Sequence, residues 1–412
     1  MGNNAGVVIV GAGLGGIRVA ESVRSAGYEG SVTLIGAEPH PPYDRPPLSK
    51  NVLAGKQERP DLKPAEFFAD SSIDLRTGRT VVSVDPQAHS LTVAHTDDPG
   101  NTETVAYDTL VLATGLTPRA FPGADESLAG LHTLRTIDDA LGLRTEIDGA
   151  RSAVVIGAGF IGCEVAATLR GYGVPVTLVE PAPTPLAAAL GEQIGELVTR
   201  LHINNEVDVR AGVGVAEIVS GGEKSGGYGS GDRVTAVKLD DGTELPADIV
   251  VVGIGSIPVT GFLDGSGIEL ADRSVGGGIA CDAVGKTSAD DVYAVGDVAN
   301  WLDGEGNPKR VEHWNHVVEQ ASVVAATITG GESVRGAVPY FWSDQYDVKI
   351  QCLGEPAPGD VVHVVEDDGR RFLAYFERDG VLSGVVGGGM PGKVMKTRAK
   401  VAARAPIGEV LG

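Results

Sequence analysis

A short glycine-rich pattern occurs twice in this chain, and its repetition fixes the architecture. Gly11-Ala12-Gly13-Leu14-Gly15-Gly16 follows the apolar run Val7-Val8-Ile9-Val10, and Gly157-Ala158-Gly159-Phe160-Ile161-Gly162 follows Val154-Val155-Ile156. Each reads as strand, G-x-G-x-x-G turn, helix. The first glycine (Gly11, Gly157) lets the chain leave the strand sharply. The second (Gly13, Gly159) lets a pyrophosphate approach bare backbone, and the third (Gly16, Gly162) lets helix and strand pack closely. The helix starts, at Leu14 and at Phe160-Ile161, offer free N–H groups and a positive dipole end to phosphate. An acid closes the next apolar strand in both copies: Glu38 after Val32-Thr33-Leu34-Ile35, and Glu180 after Val176-Thr177-Leu178-Val179. That is roughly 20 residues past the glycines, where the ribose diol of a dinucleotide is met. One copy is compatible with a tight turn that binds nothing. Two copies, each with its acid, imply two dinucleotides on one chain and a flow of electrons between them. The expected class is therefore α/β, with two Rossmann-like dinucleotide-binding domains.

Composition narrows the remaining choices. The 412 residues exceed what one core can organise, so two or three domains are expected. The 59 glycines exceed the average share of about 7%, and many lie in the nucleotide turns and in the stretch 220–231, read as a flexible connection. The net charge of −22 argues against a general binder of nucleic acid or anionic membrane. Cys163, Cys281 and Cys352 form no C-x-x-C or C-x-x-x-x-C pair, which disfavours a zinc site, an iron–sulfur site or a disulfide framework. A reducing cytosol suits them. No charged-then-apolar leader opens the chain, and no run reaches the ~18 apolar residues of a membrane span. The expected location is cytoplasmic.

Along the chain, a β-α-β start gives way to a polar, Pro-rich stretch and then strands. Thr109-Leu110-Val111-Leu112-Ala113 reads as a fully buried parallel strand. A second β-α-β begins at Ser152, its helix over 160–170 stopped by Gly173. Alternating strands follow over 207–245, with Asp240-Asp241-Gly242 as a hairpin turn, then a buried strand over 248–255 that exits through Gly255. The run 291–297 delivers Asp297 at the C-terminal end of a short strand, where open α/β sheets place ligand contacts; a helix N-cap is the other reading. A helix is expected over 316–328. From 331 onward, strands at 348–352, 361–365, 372–376 and 381–386 and a helix over 391–403 read as a separate α+β domain.

Further motifs sharpen this reading: Tyr43-Asp44-Arg45-Pro46-Pro47-Leu48-Ser49-Lys50, Ala113-Thr114-Gly115, Val295-Gly296-Asp297, Glu312-His313-Trp314 and Phe341-Trp342-Ser343-Asp344-Gln345. With the two fingerprints, the set resembles the FAD-dependent, NADH-using ferredoxin reductases of bacterial oxygenase systems, of the putidaredoxin-reductase and biphenyl-dioxygenase-reductase type. The resemblance covers essentially the whole chain. It implies a glutathione-reductase-like arrangement: an FAD-binding domain from 1–118 and 249–330, an NADH-binding domain from 119–248, and a C-terminal α+β interface domain from 331–412. The first fingerprint (Gly11, Gly13, Leu14, Gly16) becomes the FAD site and the second (Gly157, Gly159, Phe160, Ile161, Gly162) the NADH site.

The same resemblance assigns roles. Glu38 would hold the adenosine ribose of FAD and Asp297 the ribitol, with Ala113, Thr114 and Gly115 alongside. Arg45 and Arg119 would meet the diphosphate or the ring edge, for which a guanidinium is suited. Lys50 would sit beside flavin N5, paired with Glu164 in the first turn of the second fingerprint's helix, stabilising negative charge on the reduced ring. A salt bridge joining two domains is the alternative. Phe160 would cover the nicotinamide, with Gly255 beside it, and Trp314 and Trp342 would frame the rings; on periodicity alone the three aromatics read as core. Where the family continues W-x-N-A, this chain has Trp314-Asn315-His316-Val317.

Glu180 selects NADH, because a carboxylate accepts a 2′,3′-diol and repels a 2′-phosphate, and Pro181-Ala182-Pro183-Thr184-Pro185 supplies no base. The expected chemistry is hydride transfer from NADH to FAD, then release of single electrons to a carrier. The lack of a redox cysteine pair, and of any cysteine near Pro42-Tyr43, weighs against disulfide reductases and single-cysteine oxidases of this fold. By resemblance the carrier is a small, acidic [2Fe-2S] ferredoxin. An acidic reductase then needs a local basic patch to dock it: Lys393, Lys396, Arg398, Lys400 and Arg404, or Lys309 and Arg310. A solvated basic face is the plainer reading of both groups. Two other functions remain open at this point: a rubredoxin reductase, and an NADH-sensing flavoprotein resembling apoptosis-inducing factor.

Overall fold

The computed structural model describes residues 5–221, 233–332, 336 and 338–411. The glycine-rich stretch expected as a flexible connection lies outside them from residue 222. The chain divides into two compact units, one from Met1–Asp44, Pro60–Thr117 and Ser256–Ala337, the other from Arg45–Arg59, Pro118–Gly255 and Val338–Gly412.

The first unit is built on a five-stranded parallel sheet. Its strands run in the order Val292–Ala294, Thr109–Leu112, Val7–Val10, Val32–Ile35, Ile73–Arg76. The central strand is apolar at all four positions because it is covered on both faces. Val7 pairs with Val32 on one side and Thr109 on the other, so the strand order reverses beside the first fingerprint. Ligands bind open α/β sheets at such a reversal, outside the carboxyl ends of the strands. A three-stranded antiparallel sheet, Arg79–Asp85, Ser90–His95 and Asp98–Ala106, is inserted between Ile73–Arg76 and Thr109–Leu112.

The second unit repeats this plan. Its parallel sheet runs Asp208–Ala211, Val176–Glu180, Ala153–Ile156, Ile249–Val252, Leu131–His132. Ala153 pairs with Val176 and Ile249, in the register that Val7 shows in the first unit. Again a three-stranded antiparallel sheet, Val215–Gly221, Arg233–Leu239 and Glu244–Pro246, precedes the strand that closes the reversal. The expected boundary at 249 therefore falls inside the second sheet: Ile249–Val252 completes the sheet of the second fingerprint instead of opening the return to the first unit.

Two further departures share one cause, the covering of exposed apolar faces. The segment 45–59, expected with the first fingerprint, belongs to the second unit, where Leu53 enters its core. The C-terminal part has its own antiparallel sheet, in the order Tyr340–Gln345, Val348–Gly354, Val381–Gly388, Phe372–Arg378, Val361–Asp367. It does not have a wholly separate core. Ile350, Phe372, Phe376 and Val386 pack in one cluster with Cys163, Val165 and Leu169 of the second fingerprint's helix. Tyr340–Gln345 is a strand the sequence reading did not identify, and the helix expected over 391–403 is two short ones, Pro391–Lys396 and Arg398–Ala402, interrupted at Thr397.

Candidate functional site

The two glycine turns are built alike, down to their steric reasons. Gly11 and Gly157 have φ of 110° and 97°, where a side chain is strained. A Cβ on Gly16 would stand 2.0 Å from the Gly11 carbonyl oxygen, and one on Gly162 would stand 2.0 Å from that of Gly157. Gly13 and Gly159 differ: their backbone is extended, and a Cβ there would meet nothing within 4 Å. No packing reason forbids a side chain at either position, and the bare backbone faces open space. Among the described residues no side chain caps the Leu14–Ser25 or Phe160–Gly171 helix, and neither has an acid in its first turn. The Ile137–Ile147 helix of the same chain carries a full capping box from Thr136 and Asp139. The fingerprint helices thus keep unpartnered N–H groups at the turns where a diphosphate would lie.

The acids are fixed close by. Glu180 accepts from Ala158 N at 2.7 Å and from Ala182 N at 2.9 Å, so its carboxylate is tied to the second fingerprint itself. Glu38 accepts from the Tyr43 hydroxyl. Each carboxylate retains lone pairs for further donors. Ala113 N donates to Val10 O at 2.7 Å, and its carbonyl lies against Gly11; Thr114 Oγ1 donates to Val259 O at 2.8 Å. The second unit matches this with Gly253, whose N donates to Ile156 O at 2.7 Å and whose carbonyl lies against Gly157. Gly253, two residues before the expected Gly255, takes the position that Ala113 takes in the first unit. The match to Ala113 by strand position was the available signal. Gly255 has φ of 94°, and its carbonyl accepts from Arg119 N.

Lys50 and Glu164 meet, and they meet inside one unit. Pro46-Pro47 leads into a single π-helical turn, Leu48–Val52, with Val52 N bonded to Pro47 O and Leu53 N to Leu48 O. This wide turn brings two consecutive side chains to one acceptor. Lys50 Nζ reaches Glu164 Oε2 at 2.7 Å, Ser49 Oγ reaches the same oxygen at 2.5 Å, and Lys50 Nζ also donates to Pro46 O. Ser343 Oγ donates to Oε1 at 2.7 Å. Glu164 is 2% exposed and Lys50 15%. Burial pushes the Glu164 carboxyl above its ordinary range, while Lys50, Ser49 and Ser343 oppose that shift. Glu164 is the fifth residue of its helix, in the second turn and not the first. Ser49 and Ser343 lay within the quoted motifs, yet nothing in their spacing reveals that both face residue 164.

The remaining candidates are placed as follows. Phe160 meets Phe341 edge-on at 5.1 Å. Trp342 points to the other face of its strand, stacked on Tyr340 with Lys349 above it, so Phe341 and not Trp342 is the aromatic beside the second fingerprint. Ile161 is exposed. Trp314 Nε1 donates to Asp44 Oδ1 at 3.0 Å, and Arg18 lies over its ring. Arg45 donates to Arg135 O from one arm. Arg310, expected on a docking face, is turned inward: it donates to Gly276 O and Asp297 O and pairs with Glu312. It buttresses the Asp297 backbone instead. Lys393 pairs with Glu366, and Lys400 Nζ donates to Glu409 O, whereas Lys396, Arg398 and Arg404 are exposed. Among the described residues no group of three His, Cys, Asp or Glu side chains gathers to hold a metal, and no helix is long and apolar enough to cross a membrane.

Comparison with known proteins agrees with this geometry. Residues 5–321 match the pyridine nucleotide-disulphide oxidoreductase family, and residues 340–410 match the reductase C-terminal family. A ferredoxin–NAD(P)(+) reductase of a Sphingomonas species is 37% identical over 380 residues, spanning 91% of this chain and 87% of that one. The ferredoxin–NAD(+) reductase component of the p-cumate 2,3-dioxygenase system of Pseudomonas putida is 34% identical over 90% of this chain and 86% of its own. The reductase in the crystal structure of a covalent putidaredoxin reductase–putidaredoxin complex superposes with a TM-score of 0.89 at 31% identity, covering 98% of this chain and 94% of that one. This chain belongs to the pyridine nucleotide-disulphide oxidoreductase family, among its ferredoxin reductases.

Proposed function

We propose that this protein carries electrons from NADH through FAD to a small [2Fe-2S] ferredoxin that feeds an oxygenase. The observation that carries the reading is the pair of glycine turns with bare second glycines and uncapped helices, in a chain with no paired cysteines. Two such turns suit two dinucleotides. FAD, when bound, accepts hydride and releases electrons one at a time, which nicotinamide does not do. In this reading Gly11, Gly13, Leu14 and Gly16 receive the FAD diphosphate, Glu38 its adenosine ribose, and Asp297 its ribitol. Gly157, Gly159 and Gly162 receive the NADH diphosphate and Glu180 its ribose diol. Lys50, held by Glu164, supplies positive charge where the reduced ring carries negative charge. All three cysteines are free and buried, which suits a reducing cytoplasm.

Support also comes from the relatives, which are ferredoxin reductases by name, and from the putidaredoxin held by the superposed structure. The test is stopped-flow mixing of FAD-loaded protein with NADH and then with an oxidised [2Fe-2S] ferredoxin. Rapid bleaching of the flavin, followed by its reoxidation in two one-electron phases, is the expected result. A colourless protein that takes up no FAD, or a reduced flavin that no ferredoxin discharges, would end the proposal.

A further inference from the structure

Glu164 is the end of a longer buried chain of polar groups. The strand Tyr340–Gln345 turns Phe341, Ser343 and Gln345 to one face, and Ser343 and Gln345 are both fully buried. Gln345 Nε2 donates to Ser343 Oγ at 3.3 Å, and Ser343 Oγ donates to Glu164 Oε1. Behind Gln345 lies His202, fully buried on the Glu192–Asn204 helix, with Nδ1 2.8 Å from the Tyr346 hydroxyl. His202 Nε2 and Gln345 Oε1 are both buried with no hydrogen-bond partner. Two donors then point the same way: Gln345 N–H to Ser343, and Ser343 O–H to the carboxylate. Buried polar groups need partners, and aligned hydrogen bonds reinforce one another.

The other titratable groups in this cluster carry no charge. Burial pushes the thiol of Cys163 and the phenol of Tyr346 up, so both stay protonated, and it pushes His202 down to about 4, so the ring stays neutral. Lys50 and Glu164 form the ion pair of this cluster. The side of Glu164 away from Lys50 is met by Ser343 alone among the hydrogen bonds described.

We propose that Ser343 is a positioning residue for Glu164, held by Gln345, so that the C-terminal sheet sets the geometry of the Lys50–Glu164 ion pair. This rests on the reading that the ion pair serves the flavin, but it is tested without flavin. The carboxyl band of Glu164, assigned by its loss in Glu164→Gln, is titrated by infrared difference spectroscopy in the FAD-free protein. Ser343→Ala should raise its midpoint by about one to two pH units, the worth of one hydrogen bond to a charge, and Ser343→Thr should restore it. In the FAD-loaded protein Ser343→Ala should slow flavin reduction by NADH, with NADH affinity unchanged. An unmoved midpoint in Ser343→Ala, or one that Ser343→Thr fails to restore, overturns the proposal. Failure of wild-type flavin reduction would strike the parent reading and leave the titration result standing.

Discussion

At the scale of single residues, this site works by holding charges that water no longer screens. Glu164 is almost fully enclosed, and one ammonium and two hydroxyls oppose the upward push of burial on its carboxyl. Glu164→Gln preserves the shape and removes the charge. The expected outcome is flavin reduction by NADH slowed about tenfold or more, with FAD content unchanged, as read by stopped flow. Glu180 is held differently, by two backbone donors at the glycine turn. Glu180→Gln keeps one acceptor and loses the charge that repels a 2′-phosphate. It should raise the KM for NADH about tenfold and narrow the preference over NADPH, which steady-state kinetics with both coenzymes will measure. His202 gives a stability prediction with a definite sign. The unfolded chain protonates this imidazole at its ordinary value of 6.5, the folded chain only near 4. Between those values the unfolded state binds more protons, so stability is complete above pH 6.5 and falls as pH drops toward 4. Urea midpoints should decline across that window more steeply in the wild type than in His202→Gln.

At the scale of elements, the two strand–turn–helix units were legible because each glycine answers a local demand. The first and third are required by φ and by close backbone approach, and these demands are written in the spacing. The middle glycine is required by neither, which separates folding from binding in one experiment. Gly162→Ala drives a methyl into the Gly157 carbonyl and should cost about 1–3 kcal/mol of stability, seen as a lower melting temperature. Gly159→Ala fits its extended backbone and open surroundings. It should melt with the wild type while NADH affinity falls sharply, as read by flavin bleaching at graded NADH. Equal melting losses in both variants would contradict this division. What stayed hidden in the sequence depends on distant pairing. Ile249–Val252 reads as a buried strand in either unit, and the sheet that claims it is chosen by Ala153 more than ninety positions earlier. The segment 45–59 lies beside the first fingerprint in sequence but carries Lys50 and Ser49 to a carboxylate on the second fingerprint's helix. Tyr340–Gln345 runs as three aromatic and then three polar residues, and the lack of alternation hides a strand whose buried face carries Ser343 and Gln345.

At the scale of the whole molecule, the problem is recognition between like charges. With 33 basic against 55 acidic residues, an acidic ferredoxin is repelled at long range. Under the proposed function docking rests on a local basic surface, and side-chain pairing narrows which of the candidate cations supply it. Arg310 is committed to the Asp297 backbone, Lys393 to Glu366, and Lys400 to the Glu409 carbonyl. Lys396, Arg398 and Arg404 remain exposed on the C-terminal helical segment. A rim charge acts on encounter rate and salt dependence more than on the chemistry inside the site. Reversing Lys396, Arg398 and Arg404 together to Glu should raise the ferredoxin KM about tenfold or more at low ionic strength. The gap should close toward 1 M salt, where the screening length falls to about 3 Å. Flavin reduction by NADH should not change, since none of the three meets either glycine turn or the Lys50–Glu164 pair. A triple variant that handles ferredoxin like the wild type at every salt concentration would move docking off this segment, and one that also slows flavin reduction would mean the substitutions disturb the fold.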